Sequence, residues 1–112
     1  MNETHVQWFV RCLLVIALAA MTGGVTRGQS AGETLFKSKC MMCHGPDGKG
    51  EVPMGKKLNV PSLVSSDVQK QSDAQLTDAV TKGKNKMPAY DGKLTKEQIG
   101  QLVAYVRELG KK

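Results

Sequence analysis

The most regular pattern of apolar and polar positions lies near the end of the chain. Five apolar residues there follow one another at intervals of three or four positions, which places them on one side of an α-helix. They are Ile99, Leu102, Val103, Val106 and Leu109. Thr95 and Gln98 have the spacing of a capping box, and Gly110 is typical of a helix end. The pattern predicts an amphipathic helix between residues 95 and 110.

Two further segments begin with the capping-box spacing. Ser72 and Gln75 predict the start of a helix, and Gly83 follows where that helix is expected to end. Ser66 and Gln69 have the same spacing and favour a short helix.

A first helix is predicted from Gly32 to Cys43, where apolar residues and two cysteines recur at roughly helical spacing. The turn-rich segment 45–50, rich in glycine, ends it. Two long loops are expected, at 45–65 and 83–94, and loops of that length in a small domain suggest attachment to another group. Because no run of residues alternates as a strand would, the sequence predicts an all-α fold with three to four helices.

The first thirty residues have the layout of a secretory signal peptide. Arg11 precedes an apolar run of ten residues, from Cys12 to Met21, and small and polar residues follow it. A membrane-spanning helix needs about 20 apolar residues. We therefore expect 1–30 to be a signal peptide, with cleavage between Ala20 and Ser30, and 31–112 to be one exported domain. An uncleaved N-terminal anchor is the alternative.

Composition changes this picture in one respect. The chain has a formal net charge of +6, and residues 31–112 contain only three aromatic residues, Phe36, Tyr90 and Tyr105. A domain of this size usually needs a disulfide, a metal or a cofactor for stability. We therefore expect a bound group to fill its centre. Nucleic-acid binding is not expected of an exported domain of this kind.

The segment Cys40-Met41-Met42-Cys43-His44 has the pattern of c-type haem attachment. Two thiols three positions apart can each bond to one vinyl group of a haem, and the histidine that follows is placed to bind the iron. The sequence therefore predicts one covalent haem c, held by Cys40 and Cys43, with His44 as the proximal ligand.

Three alternatives compete with haem. A structural zinc site needs four ligands, and residues 31–112 supply Cys40, Cys43 and His44 as the plausible ones. A thioredoxin-like pair would need a βαβ pattern, which is not visible. A local disulfide would leave the histidine and the empty core unexplained.

A methionine thioether is the usual second axial ligand in an electron carrier. Met87 is the favoured candidate, because it lies 43 positions after His44 in a loop that Pro88 stiffens. Met54 lies only ten positions after His44 and is the alternative ligand, although it is better placed beside the haem.

These motifs together resemble a class I (mitochondrial-type) cytochrome c of the short bacterial kind over residues 32–109. Gly32 and Phe36 stand eight and four positions before Cys40, as in that family. In that family the Gly and the Phe pack against an aromatic residue of the last helix, in a segment to which 102–105 is similar. Met87-Pro88 is similar to the family's axial loop. The resemblance implies the small cytochrome c fold, with long loops wrapped around one haem.

The resemblance also implies further haem surroundings. Pro53 is the candidate whose carbonyl would accept the second ring N–H of His44, a role that orients a ligand histidine. Residues 31–112 contain no tryptophan, so the family's frequent propionate-binding Trp is absent. Asn85, Tyr90 or a nearby lysine is the expected replacement.

Lysines flank the expected methionine ligand and occur in the other long loop. They are Lys82, Lys84, Lys86, Lys93, Lys56 and Lys57. If both loops border the haem edge, this charge would steer the protein to redox partners with acidic docking surfaces. The alternative is that these lysines only keep the protein in solution. Contact with an anionic membrane surface would be transient.

The sequence thus predicts a monomeric periplasmic one-electron carrier that is not an enzyme. One alternative is the electron-entry subunit of a periplasmic oxidoreductase complex. Another is a haem sensor or weak peroxidase with an open sixth coordination position.

Overall fold

The computed structural model describes residues 30–112 and, before them, only the single position Gln7. The expected signal peptide, or the anchor that is its alternative, lies outside the described residues. Within the described part, no helix is long and apolar enough to cross a membrane.

Six helices lie within residues 30–112, and no extended strand occurs in this range. They are α1 (Ala31–Lys39), α2 (Met41–His44), α3 (Pro53–Leu58), α4 (Ser66–Gln69), α5 (Asp73–Lys82) and α6 (Lys96–Leu109). The predicted all-α class is confirmed. The number exceeds the expected three to four because the first predicted helix is interrupted at Cys40, and because α3 lies in a predicted loop.

The predicted capping boxes are present at the two longer late helices. Ser72 and Gln75 exchange side-chain and backbone hydrogen bonds at the start of α5, and Thr95 and Gln98 do so at the start of α6. At α4 the prediction was wrong by one residue. The cap is Ser65, whose hydroxyl accepts from the backbone N–H of Val68.

Helix α3 was not expected. Its first residue is Pro53, which suits this position because the proline ring presets the helical φ angle and the missing N–H has no helical partner there. It ends at Leu58 and is capped by Asn59, which adopts a left-handed conformation with φ of 53°. A Cβ on Gly55 would lie 2.4 Å from the carbonyl oxygen of Cys43. Only glycine therefore lets α3 pack this closely on the end of α2.

The core joins the first helix to the last. Gly32 lies so close to α6 that a Cβ there would be 2.2 Å from the carbonyl oxygen of Gln101. Phe36 and Tyr105 are both almost fully buried, and they pack with Leu102 and Leu109 into one apolar cluster. The predicted contact between the Gly32–Phe36 segment and an aromatic residue of the last helix is confirmed.

A polar clamp joins α6 to the start of α5. The Arg107 guanidinium donates to the carbonyl oxygens of Gln69 (2.8 Å) and Gln71, and to the Asp73 carboxylate (3.0 Å). The Gln69 side chain in turn donates to the carbonyls of Leu63 and Val106. These bonds close one end of the domain, where Val68, Leu76 and Val103 form a second apolar cluster.

Candidate haem site

The Cys-x-x-Cys-His segment contains the short helix α2, which follows α1 after a break at Cys40. Cys40 lies between the two helices with φ of −115°, and its carbonyl accepts from the backbone N–H groups of both Cys43 and His44. Both cysteines are free thiols, so they form no disulfide with each other. Burial and the neighbouring Cys43 raise the pKa of Cys40 to about 11. The thiols are thus available for a covalent bond.

His44 is held by the loop that follows it. Its carbonyl accepts from the backbone N–H of Gly50 at 2.7 Å. Burial lowers the pKa of the imidazole, so the ring is neutral at neutral pH and keeps a nitrogen lone pair for a metal.

The second ring nitrogen of His44, Nδ1, is buried and has no hydrogen-bond partner among the described residues. Pro53, whose carbonyl was expected to accept from this ring, is exposed at the start of α3 and does not bond to it. Pro53 also lines neither cavity of the site. An unpaired buried polar atom costs free energy, so this nitrogen lacks the hydrogen bond that burial ordinarily requires.

The opposite wall is the distal loop, residues 83–95, between α5 and α6. Lys84 and Met87 exchange backbone hydrogen bonds of 3.2 and 2.9 Å, which closes a tight turn. Asn85 lies in that turn with φ of 54°, a conformation that asparagine tolerates better than most residues. Gly83, with φ of 74°, lies against the turn, since a Cβ there would be 2.6 Å from the Met87 carbonyl.

Two adjoining cavities lie between these walls. The outer cavity has about 900 Å³ of empty space, counted to its open mouth, and is lined by Cys43, Met42, Asn85, Tyr90 and residues 58–61 among others. The inner cavity has about 490 Å³ and is lined by apolar core residues such as Phe36, Leu76 and Leu102. Cys40, His44 and Met87 line both cavities.

The cleft formed by these two cavities fits a haem. The inner part is apolar, and the two thiols and the neutral imidazole meet at one wall. Such a group supplies a metal that changes oxidation state by one electron. Met54 is exposed on α3 and lines neither cavity, whereas Met87 lines both.

The two remaining expected residues lie at the outer cavity. Tyr90 is half-buried, and its hydroxyl donates to the carbonyl of Lys39 at 3.2 Å. Burial, and then the charges of Cys40 and Cys43, raise the pKa of Tyr90. Asn85 lines the same cavity but is itself exposed.

Lysines, and no carboxylates, line the outer cavity in the described part of the chain. They are Lys39, Lys84 and Lys86. Lys39 was not among the lysines singled out from the sequence, because its position beside the cleft depends on the break at Cys40. The expected Lys56, Lys57, Lys82 and Lys93 are exposed but do not line the cavity.

A helical domain closed around such a cleft, with a Cys-x-x-Cys-His segment on its wall, defines the class of c-type cytochromes. Comparison with known proteins identifies the family within this class. Residues 28–106 match the family model described as "Cytochrome C oxidase, cbb3-type, subunit III", and the chain belongs to that family. Residues 31–112 thus form a small monohaem cytochrome c domain with a covalently bound haem c, and the chemistry of that domain is haem-based electron transfer.

Relatives of two kinds share this domain. The chain is 31% identical to cytochrome c6 of Leptolyngbya boryana, over 74% of this chain and 94% of that protein. It is 32% identical to the cbb3-type cytochrome c oxidase subunit CcoP of Azospirillum brasilense, over 70% of this chain. The match spans only 28% of the length of that CcoP.

A solved structure shows the same fold. The KustC0563 c-type cytochrome is 30% identical, with a TM-score of 0.65, over 70% of this chain and 95% of that one.

Proposed function

We propose that the protein is a periplasmic one-electron carrier, not an enzyme, in which His44 and Met87 are the two axial ligands of the iron. Cys40 and Cys43 would hold the macrocycle through thioether bonds. The observation that carries this proposal is that Cys40, His44 and Met87 line both cavities of the cleft. Among the described methionines, Met54, Met41 and Met42 are all exposed.

The chain's own residues support rapid electron exchange. The apolar inner cavity excludes water from the buried part of the site, which limits the rearrangement that a change of charge requires. The neutral imidazole of His44 and the uncharged thioether of Met87 add no charge of their own to the iron.

The lysines at the cleft support redox partners with acidic docking surfaces. Lys39, Lys84 and Lys86 line the outer cavity, and none of the three forms an ion pair within residues 30–112. Positive charge at the cleft would steer the carrier toward negative surfaces, and the effect would weaken with salt. Electron-transfer complexes have small interfaces and are short-lived. This suits a monomer that moves between partners.

The experiment is absorption spectroscopy of the holoprotein, oxidised and then reduced, from the visible into the near-infrared. We expect c-type bands on reduction and a ferric sulfur-to-iron band that Met87→Ala abolishes. Met54→Ala is the matched control, because it removes the other candidate methionine from an exposed site. A band that survives Met87→Ala and is lost in Met54→Ala would overturn the ligand assignment. A wild type without the band would favour a sensor or weak peroxidase.

A second function has its own support. The matches to CcoP and FixP, named as cbb3-type oxidase subunits, favour an electron-entry subunit bound to an oxidoreductase. Co-purification with a larger partner separates the two proposals. A carrier is recovered alone, with or without an anchor, whereas a subunit is recovered together with the rest of the oxidoreductase.

A further inference from the structure

Hydrogen bonds join residues 84–94 of the distal loop to the rest of the described domain at two places with different partners. On one side, the backbone N–H groups of Tyr90 and Asp91 donate to the carbonyls of Val80 and Thr81, both at 3.0 Å, in the last turns of α5. On the other side, the Tyr90 hydroxyl donates to the carbonyl of Lys39. Within residues 30–112, this is the one hydrogen bond that links the loop to the haem-attachment segment 39–44.

The carbonyl of Lys39 is available to Tyr90 because of the break at Cys40. In an uninterrupted helix it would accept from the backbone N–H of Cys43, but that N–H donates to the Cys40 carbonyl instead. The last carbonyls of a helix need other partners. No other backbone N–H in the described part donates to this oxygen, so the Tyr90 hydroxyl satisfies it.

Tyr90 therefore connects the two walls of the site. Lys39 immediately precedes the first haem cysteine, and Tyr90 is three positions after Met87 in the same loop. Both line the outer cavity. We propose that Tyr90 is a positioning residue for Met87: its bond to Lys39 holds the distal loop against the haem-attachment segment and keeps the thioether on the iron. This inference rests on the proposed function, in which Met87 is the sixth ligand.

The neutral hydroxyl suits this role. Because burial raises the pKa of Tyr90, the group stays protonated and remains a donor through the neutral range. The backbone bonds to α5 hold the loop at its base, and the tight turn from Lys84 to Met87 holds its shape. Loss of the hydroxyl would thus release the loop from the opposite wall without unfolding it.

The test is a titration of the ferric holoprotein with imidazole, which competes with the methionine sulfur for iron. Tyr90→Phe removes one oxygen atom and keeps the ring that lines the cavity. We expect imidazole to bind it about 2- to 10-fold more tightly than the wild type, the effect of losing one hydrogen bond. Tyr105→Phe is the matched control, because no hydrogen bond of that hydroxyl occurs in the described part; its affinity should equal that of the wild type.

The outcomes separate this inference from the proposed function. If the wild type shows the sulfur-to-iron band but Tyr90→Phe binds imidazole as the wild type does, the positioning role is wrong and the ligand assignment stands. The positioning role is also wrong if Tyr90→Phe has a lower unfolding midpoint but an unchanged imidazole affinity, or if it takes up no haem. Either result would assign the hydroxyl to overall folding. If Met87→Ala leaves the band and the imidazole affinity unchanged, the proposed function itself fails.

Discussion

The rings of Phe36 and Tyr105 lie with their centroids 5.3 Å apart and their planes inclined at 56°, so the first and last helices meet through a tilted aromatic pair. This geometry is favourable for aromatic rings. The pair can form because Gly32, one turn before Phe36, lets the backbone of α1 approach Gln101 on α6. The helix crossing thus depends on one residue without a side chain.

We expect Gly32→Ala to destabilise the holoprotein by about 1–3 kcal/mol, the usual cost of overpacking. The new Cβ would lie 2.2 Å from the backbone oxygen of Gln101, which cannot move aside as a flexible side chain could. Denaturant unfolding followed by circular dichroism measures the change. Gly100→Ala is the control. Gly100 lies in α6, next to Gln101, and a Cβ there would meet no atom within 4 Å. Alanine should stabilise that site by roughly 0.8–1.0 kcal/mol. Equal effects of the two substitutions would contradict the close approach.

Arg107→Lys is expected to cost about 2 kcal/mol of unfolding free energy. Lysine cannot reproduce the fork that bonds the carbonyls of Gln69 and Gln71 together with Asp73, and bonds from a charged donor contribute roughly 1.5–3 kcal/mol. Asp73→Asn is the companion variant. The Asp73 side chain is 76% exposed, so its ion pair should contribute less than about 1 kcal/mol. If Asp73→Asn costs as much as Arg107→Lys, the ion pair and not the carbonyl bonds stabilises this end of the domain.

Removal of the haem should leave the domain without a packed centre. We expect a Cys40→Ala/Cys43→Ala chain to lose near-UV circular dichroism and cooperative unfolding, because the cleft between α2 and the distal loop would lack its contents. Met42→Ala is the control. It alters the same segment at a side chain that is 75% exposed, and it should keep haem and fold. A sharp, native-like unfolding transition in the double variant would show that the polypeptide core is sufficient.

The pH dependence of stability should carry a contribution from Tyr90. Its pKa is raised by burial above the value of 10.0 expected in the unfolded chain, so the unfolded state loses its proton first. The contribution is therefore complete below pH 10.0 and is lost as the pH rises through the folded-state pKa. The difference in unfolding free energy between wild type and Tyr90→Phe should shrink over that range. A difference that grows with pH would reverse the sign and contradict the raised pKa.

Charge at the outer cavity should control the reaction rate with an anionic oxidant. We expect Lys39→Glu/Lys84→Glu to slow oxidation by ferricyanide roughly 3- to 10-fold at low ionic strength, and less at high ionic strength, where charges are screened. Lys70→Glu/Lys111→Glu changes the net charge equally at exposed sites that do not line the cavity. If both pairs slow the reaction equally, total charge and not its location is responsible.

The parts of the fold that could be predicted from sequence are those with local signals. The starts of α5 and α6 follow from residues three positions apart, and the haem cysteines from a five-residue motif. Helix α3 could not be predicted in this way, because it has no apolar stripe and is stabilised by the approach of Gly55 to Cys43. The proline after Val52 and the asparagine at 59 were its only local signals.

Contacts between distant residues were also missed. The bond from Tyr90 to Lys39 joins positions 51 apart, and the bonds of Arg107 join positions 34 to 38 apart. No spacing rule relates residues so far apart. Phe36 and Tyr105 were found only because the resemblance to a family brought a known pairing with it.

The meeting of α1 and α6 brings the first and last helices of the described domain together. Gly32 lies against Gln101, and the Lys112 ammonium lies 5.8 Å from the ring centre of Tyr105. None of these four residues lines the cleft. A domain whose first and last helices pack on each other, away from the cofactor, can be inserted into a longer polypeptide. Gene fusion can thus place the same domain in proteins of very different length without changes to its core.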